Sequence, residues 1–166
     1  NEMEATEQAC RNFVKGHPES IEALNILGAS LRGQGKLKEA IGVYNNITQI
    51  NPDFAAAYSN RGNALKDLLI LDKALENYQK AIQLNPEDAV VLVNYGQTLH
   101  RLGRLDEALD NYEKSIQLKS DYTVAYLNKG NALRALGKND EALESYGKAL
   151  RLKPDYIAAY NNRGIV

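Results

Sequence analysis

The sequence predicts an all-α fold, a file of stacked antiparallel helix pairs, and three observations carry that prediction. The first is a period. Pro18, Pro52, Pro86 and Pro154, with Ser120 in the vacant place, stand 34 residues apart. Gly28, Gly62, Gly96, Gly130 and Gly164 keep the same step, as do Ala40, Ala74, Ala108 and Ala142, and Tyr44, Tyr78, Tyr112 and Tyr146. Columns in one register are the mark of repeated supersecondary units. The second observation is helical spacing of apolar residues within each unit, and the third is glycine and proline punctuation between the helices.

Taken in order, residues 1–20 read as the second helix of an upstream unit, ended by Pro18. Full units follow at 21–54, 55–88, 89–122 and 123–156, and residues 157–166 read as the first helix of a fifth, which makes ten helices. The fourth full unit shows the logic. Tyr126, Leu133 and Leu136 recur at helical spacing, and Gly137 supplies the left-handed residue that closes the first helix. Asp140 and Glu141 place acidic charge at the positive end of the second helix. Ala142, Tyr146, Ala149 and Leu150 form its buried stripe, and Pro154 stops it. Gly130 and Ala142 are small where two helices approach closely. Glu76/Lys80, Asp110/Lys114 and Glu144/Lys148 are i,i+4 pairs on a solvated face, expected to add about 0.3 kcal/mol each. No unit can bury its apolar surface alone, so stability is expected to be a sum over neighbours. Ile157, Tyr160, Ile165 and Val166 lie on a helix without its partner, where fraying or end-to-end contact between molecules is expected.

With these columns the chain resembles the tetratricopeptide repeat family over its whole length. The resemblance implies an α-α superhelix, right-handed, with a groove that holds protein partners.

On a helical wheel, positions 4, 7, 8 and 11 of each first helix cluster on the core side, and positions 2, 6, 9 and 13 fall on the opposite side. Position 6 is Asn60, Asn94, Asn128 and Asn162; position 9 is Asn63, Gln97 and Asn131. Asparagine is a poor helix-interior residue because its amide competes for backbone groups, so its recurrence needs a reason. One reading is that these amides bond neighbouring first helices and fix their stacking. The other is that they line a groove and bond the backbone of an extended peptide, at a net gain of roughly 0.5–1.5 kcal/mol per bond. The pattern A-Y-x-N-x-G-N-x-L is similar to the repeats of O-linked N-acetylglucosamine transferase and its bacterial relatives. That similarity implies an asparagine ladder for polypeptide backbones at Asn60, Asn94, Asn128 and Asn162. Position 7 departs from that pattern, with Arg61, Tyr95, Lys129 and Arg163 where apolar residues are usual. Ile26 and Ala29 put the start of the ladder at the second unit.

Arg32, Lys66, His100 and Arg134 form a basic column at position 12, either solvated charge at helix C-termini or a groove margin that prefers acidic partners. The chaperone-binding carboxylate clamp, another family pattern, is excluded by Asn25, Ala29, Val90 and Asn94 at its key places. Leu69 and Ile70 break the turn that Gly35, Gly103 and Gly137 make elsewhere; they are harmless surface or a contact for another domain.

Composition narrows the rest. A formal charge of −1 and a pI near 6.2 argue against nucleic acid or an acidic membrane as partner. No apolar run approaches ~18 residues, the length that spans a bilayer. The start, NEMEATEQ, is unlike a signal peptide and lacks an initiator methionine, so the chain reads as part of something longer. Cys10, the single cysteine, aligns with the tyrosine column as a buried filler; it is compatible with a reducing, cytoplasmic setting. His17 and His100 have no companions at metal-ligand spacing, GQG at Gly33–Gly35 is a helix-end turn, and the Asn46-Ile47-Thr48 sequon lies mid-helix. No catalytic site, metal or cofactor is expected. The expected function is a scaffold binding protein or extended peptide. The alternatives are the substrate-docking arm of a larger enzyme, such as a glycosyltransferase, and a self-assembly element.

Overall fold

The computed structural model describes residues 2–166, with side chains from residue 4. Ten α-helices make up the described chain. They are α1 (Glu2–Gly16), α2 (Ile21–Gly33), α3 (Leu37–Ile50), α4 (Ala55–Asp67), α5 (Leu71–Leu84), α6 (Ala89–Arg101), α7 (Leu105–Leu118), α8 (Thr123–Ala135), α9 (Asn139–Leu152) and α10 (Ile157–Gly164). They form two compact units that meet in sequence after Pro86, the first holding α1–α5 and the second α6–α10.

Within each unit every helix packs on the next one in sequence, and alternate helices also touch: α2 with α4, α6 with α8, and α8 with α10. In the first unit Leu24, Leu27 and Leu31 of α2 meet Ala40, Tyr44 and Ile47 of α3, and α1 adds Cys10 and Val14 to this core. Each leucine taken fully out of water contributes roughly 1.5–3 kcal/mol. In the second unit Leu127 and Leu133 of α8 meet Ala142, Tyr146, Ala149 and Leu150 of α9, with Ala159 of α10 closing the cluster. Cys10 is half-buried, packed against the core rather than sealed in it as its column predicts. The pairs Glu76/Lys80, Asp110/Lys114 and Glu144/Lys148 are not among the ion pairs formed by the described residues. All six side chains are exposed, where two solvated charges gain little by meeting.

The glycine and tyrosine columns explain each other. A Cβ built on Gly28, Gly62, Gly96 or Gly130 would lie 2.6, 2.8, 2.6 or 2.5 Å from a ring carbon of Tyr44, Tyr78, Tyr112 or Tyr146. Those rings are at most 1% exposed, so glycine is the residue that lets the first helix of each pair seat on the tyrosine of the second. The turns between paired helices repeat one hydrogen-bond pattern. The N–H of Gly35 donates to the Arg32 carbonyl and that of Lys36 to the Leu31 carbonyl, both at 2.9 Å. The corresponding bonds recur after α6 and α8, with glycine in the left-handed conformation that this motif requires. After α4 the same bonds form around Leu69, whose φ is +62°. Leucine in that conformation costs roughly 1–2 kcal/mol, and Leu69 recovers little by packing, since it is 70% exposed.

Helix starts vary along one column. Ser20 and Asp88 cap α2 and α6 by accepting from backbone N–H groups. Phe54, Tyr122 and Tyr156 replace the cap at α4, α8 and α10, and Phe54 and Tyr156 pack on the cores instead. Glu7 of α1 is 8% exposed, at a place filled by Ile41, Leu75, Leu109 and Leu143 in later units. It is held by Lys36 at 2.7 Å, by Arg11 at 2.8 Å and by the amide of Gln34 at 2.8 Å. These three donors, Lys36 foremost, lower its pKa to about 2. On α10, Ile157, Tyr160 and Ile165 are 73%, 54% and 66% exposed, so the apolar face expected there lies open.

Candidate binding face

The candidate residues fall on the first helices of the pairs, α2 and α4 in one unit and α6, α8 and α10 in the other. All seven amides, Asn60, Asn63, Asn94, Gln97, Asn128, Asn131 and Asn162, are half-buried. In the first unit Asn60 Nδ2 donates to Asn25 Oδ1 at 2.9 Å, joining α4 to α2. Asn63 Oδ1 accepts from the hydroxyl of Tyr78, at 2.8 Å. In the second unit Asn131 Oδ1 accepts twice, from the Tyr146 hydroxyl and from Asn162 Nδ2, each at 2.8 Å. Asn128 Nδ2 turns back to the carbonyl of Val124 in its own helix, at 2.9 Å. Several of these amides therefore also tie helices together. A carboxamide has two donors and an acceptor with two lone pairs, so one such bond does not exhaust it.

The tyrosines are weak acids here. Burial pushes the Tyr44 hydroxyl up to about 12, against a small opposing effect of Arg32. Burial likewise raises Tyr146, opposed by the neighbouring Arg134 guanidinium. Both stay protonated donors at neutral pH.

The position 12 column is not uniform. Arg32 Nε is paired with Asp67 Oδ2 at 2.7 Å, a second link between α2 and α4. Burial, and then the charge of Arg134, holds the His100 imidazole below its ordinary pKa, so it is neutral at pH 7. Lys66 is half-buried and Arg134 is exposed. His17, outside this face, stacks on Phe13 with ring centroids 4.4 Å apart.

Arg61 is the residue whose role sequence spacing missed. It reaches from α4 to both flanking second helices, donating to Asn77 Oδ1 at 2.6 Å in α5 and to Asn45 Oδ1 at 2.7 Å in α3. Its guanidinium also lies 5.2 Å from the Tyr58 ring centroid. Lys129 repeats half of this in the second unit, 2.9 Å from Glu113 of α7. The signal was the basic residue at position 7, on the core side of the wheel. A cation there needs partners on the second helices, and Asn45, Asn77 and Glu113 supply them.

Among the described residues no helix is long and apolar enough to cross a membrane. No three His, Cys, Asp or Glu side chains among them gather to hold a metal ion.

Comparison with known proteins agrees with this architecture. A family model described as TPR repeat matches residues 28–68 and 130–166, and one described as Tetratricopeptide repeat matches residues 53–121. No curated protein sequence matches the chain. Among solved structures, MamA is 28% identical with a TM-score of 0.80, over 89% of this chain and 86% of that one. The first TPR of Spaghetti (RPAP3), solved bound to the HSP90 peptide SRMEEVD, is 28% identical with a TM-score of 0.66, over 67% of this chain and 88% of that one. A thermophilic TPR protein of Thermus thermophilus shares the fold, at 21% identity and a TM-score of 0.83, over 98% of this chain and 89% of that one. With its helix pairs, its glycine-seated tyrosines and both family matches in agreement, the chain belongs to the tetratricopeptide repeat family.

Proposed function

We propose that the chain is a protein-interaction scaffold whose first helices hold extended polypeptide segments by their backbones. The amides lie in repeats 55–88, 89–122 and 123–156 and in the first helix at 157–166; repeat 21–54, preceded by the second helix at 1–20, has Ile26 and Ala29 in their places. The observation that carries this reading is the state of four amides: Asn60, Asn63, Asn128 and Asn131 are half-buried, and each has bonding capacity beyond the contacts it makes within the chain. Such groups can pair with any peptide backbone, which suits a sequence-tolerant holder. The Spaghetti complex is a precedent for a peptide on this fold. Asn25 and Ala29 stand where a carboxylate clamp needs lysine and asparagine, so the segment held here is taken along its backbone and not by a terminal carboxylate.

Asn128 offers the cleanest test, because the bond it makes is to its own helix. A random twelve-residue peptide library is selected on the intact chain, and the winners are measured by fluorescence anisotropy. Asn128→Ala is expected to weaken them by about 2- to 12-fold, the loss of one hydrogen bond, while the melting temperature stays within about 2 °C. Unchanged affinity across the selected peptides would refute the reading. Asn60→Ala should also lower the melting temperature, because Asn60 ties α4 to α2.

A further inference from the structure

Building on the peptide-binding reading, we propose that Tyr78 and Tyr146 are positioning residues. Their hydroxyls hold Asn63 and Asn131 with the amide oxygen turned inward, so that each NH2 becomes a fixed donor for a backbone carbonyl of the bound peptide. The columns dictate this geometry. Each ring is locked in place, 0% exposed and pressed on the glycine of the facing helix, Gly62 or Gly130. In these two pairs the ring carries its hydroxyl to the residue just after the glycine, and both oxygens sit 2.8 Å from the Asn63 or Asn131 Oδ1. A buried hydroxyl needs an acceptor, and the carboxamide oxygen is one. The amide is planar, so an oxygen facing the core sends its nitrogen the other way.

A nearby charge and one further contact bear on the bond at Tyr146. The Arg134 guanidinium acts on the phenol as a neighbouring cation, which favours the hydroxyl hydrogen pointing away from it. Asn162 Nδ2 takes up the remaining lone pair of Asn131 Oδ1, so what Asn131 can still offer is donors. The first pair supplies a natural control. Tyr44 has the same seat on Gly28, but Ala29 follows, and no amide is there to orient. A donor already held in its bound orientation loses less entropy when a partner arrives.

Tyr146→Phe keeps the ring and deletes the hydroxyl. Nitrogen-15 NMR of the side-chain amides reads the orientation without any ligand. The Asn131 NH2 signals, assigned by their loss in Asn131→Ala, should shift and their order parameter should fall in Tyr146→Phe. Signals and order parameter that stay put overturn the proposal. Peptides selected from the random library should bind about 2- to 12-fold more weakly to Tyr146→Phe. Tyr146→Phe combined with Asn131→Ala should be no weaker than Asn131→Ala alone. Losses that multiply instead show the two acting independently and also overturn it. If the library yields no binder, the peptide reading fails and the NMR result alone decides whether tyrosine orients the amide. If binders are held equally by both proteins, the positioning role fails and the peptide reading stands. Should Tyr146→Phe not fold, Tyr78→Phe read at Asn63 asks the same question in the other unit.

Discussion

The pairs α2/α3 and α8/α9 share a ring contact and differ in the residue beside it. In both, a tyrosine at most 1% exposed fills the space over a glycine. Next to that glycine stands Ala29 in the first pair and Asn131 in the second. The adjacent basic residue differs as well: Arg32 is tied to Asp67, whereas Arg134 is exposed beside the Tyr146 hydroxyl. Packing and surface chemistry are thus written on neighbouring residues of one helix, and the surface can change while the packing stays. The second pair carries an amide and an exposed arginine; the first has Ala29 in the amide's place and turns its arginine to the neighbouring helix.

The sharpest way to break the shared part is to add one methyl group. Gly130→Ala places a Cβ 2.5 Å from a wedged ring, and Gly28→Ala places one at 2.6 Å. Overpacking costs roughly 1–3 kcal/mol, and alanine's better helix propensity offsets roughly 0.8–1.0 of it. Both variants are expected to lose up to about 2 kcal/mol in urea denaturation, to a similar extent, because the contact is the same. Gly42→Ala is the control with the opposite sign. It lies mid-helix in α3 and exposed, with nothing within 4 Å, so it should gain up to about 1 kcal/mol. Equal losses at Gly28, Gly42 and Gly130 would mean that the ring seats are not what these glycines serve.

A smaller effect is expected at the turns. The turn inside α2/α3 and the one inside α8/α9 both use glycine at positive φ, and the turn between α4 and α5 makes the same bonds with Leu69. Leu69→Gly should therefore stabilise the chain. Relief of roughly 1–2 kcal/mol of left-handed strain outweighs the roughly 0.5–1 kcal/mol that glycine adds in chain entropy. A rise in melting temperature with unchanged peptide affinity would place the strain in the turn alone. A fall would show that Leu69 packs on something its 70% exposure does not reveal.

How far the sequence could be read follows from the same comparison. Helix positions and the close approach at Gly130 were legible because period and small residues report backbone geometry directly. That the amides bond neighbouring first helices was one of the two readings the wheel allowed, but the partner each one takes was not legible. Position 6 on a wheel says which way Asn60 leaves its helix, but Asn25 of the next first helix lies 35 residues away, and no intrahelical rule pairs them. The i,i+4 rule failed in the opposite direction, predicting pairs that solvation keeps apart. Arg61 showed at sequence level only as a basic residue on the core side, since its partners come from two other helices. Glu7 was hidden for a related reason: alignment puts it in an apolar column, and Lys36, Arg11 and Gln34 make the charge tolerable there.

Glu7 also gives the mildest prediction, and it separates the two pairs by pH. It joins α1 to the start of α3 through Lys36, and its counterpart in the column before α9's tyrosine is the apolar Leu143. Its folded pKa is lowered from 4.5 to about 2, by Lys36 first and then Arg11 and Gln34. A carboxylate whose pKa falls on folding binds more protons in the unfolded state, so its contribution is present above the unfolded value and fades as pH drops toward the folded one. Glu7→Gln should therefore lower the melting temperature slightly at pH 6, and the difference from the parent chain should shrink between pH 4.5 and 2. The loss should centre on α1 and α3, where amide hydrogen exchange would quicken, while α8 and α9 exchange as before. A gap independent of pH would mean that the Glu7 charge is not what holds α1 in place, and that its shape in the apolar column matters more than its pairing.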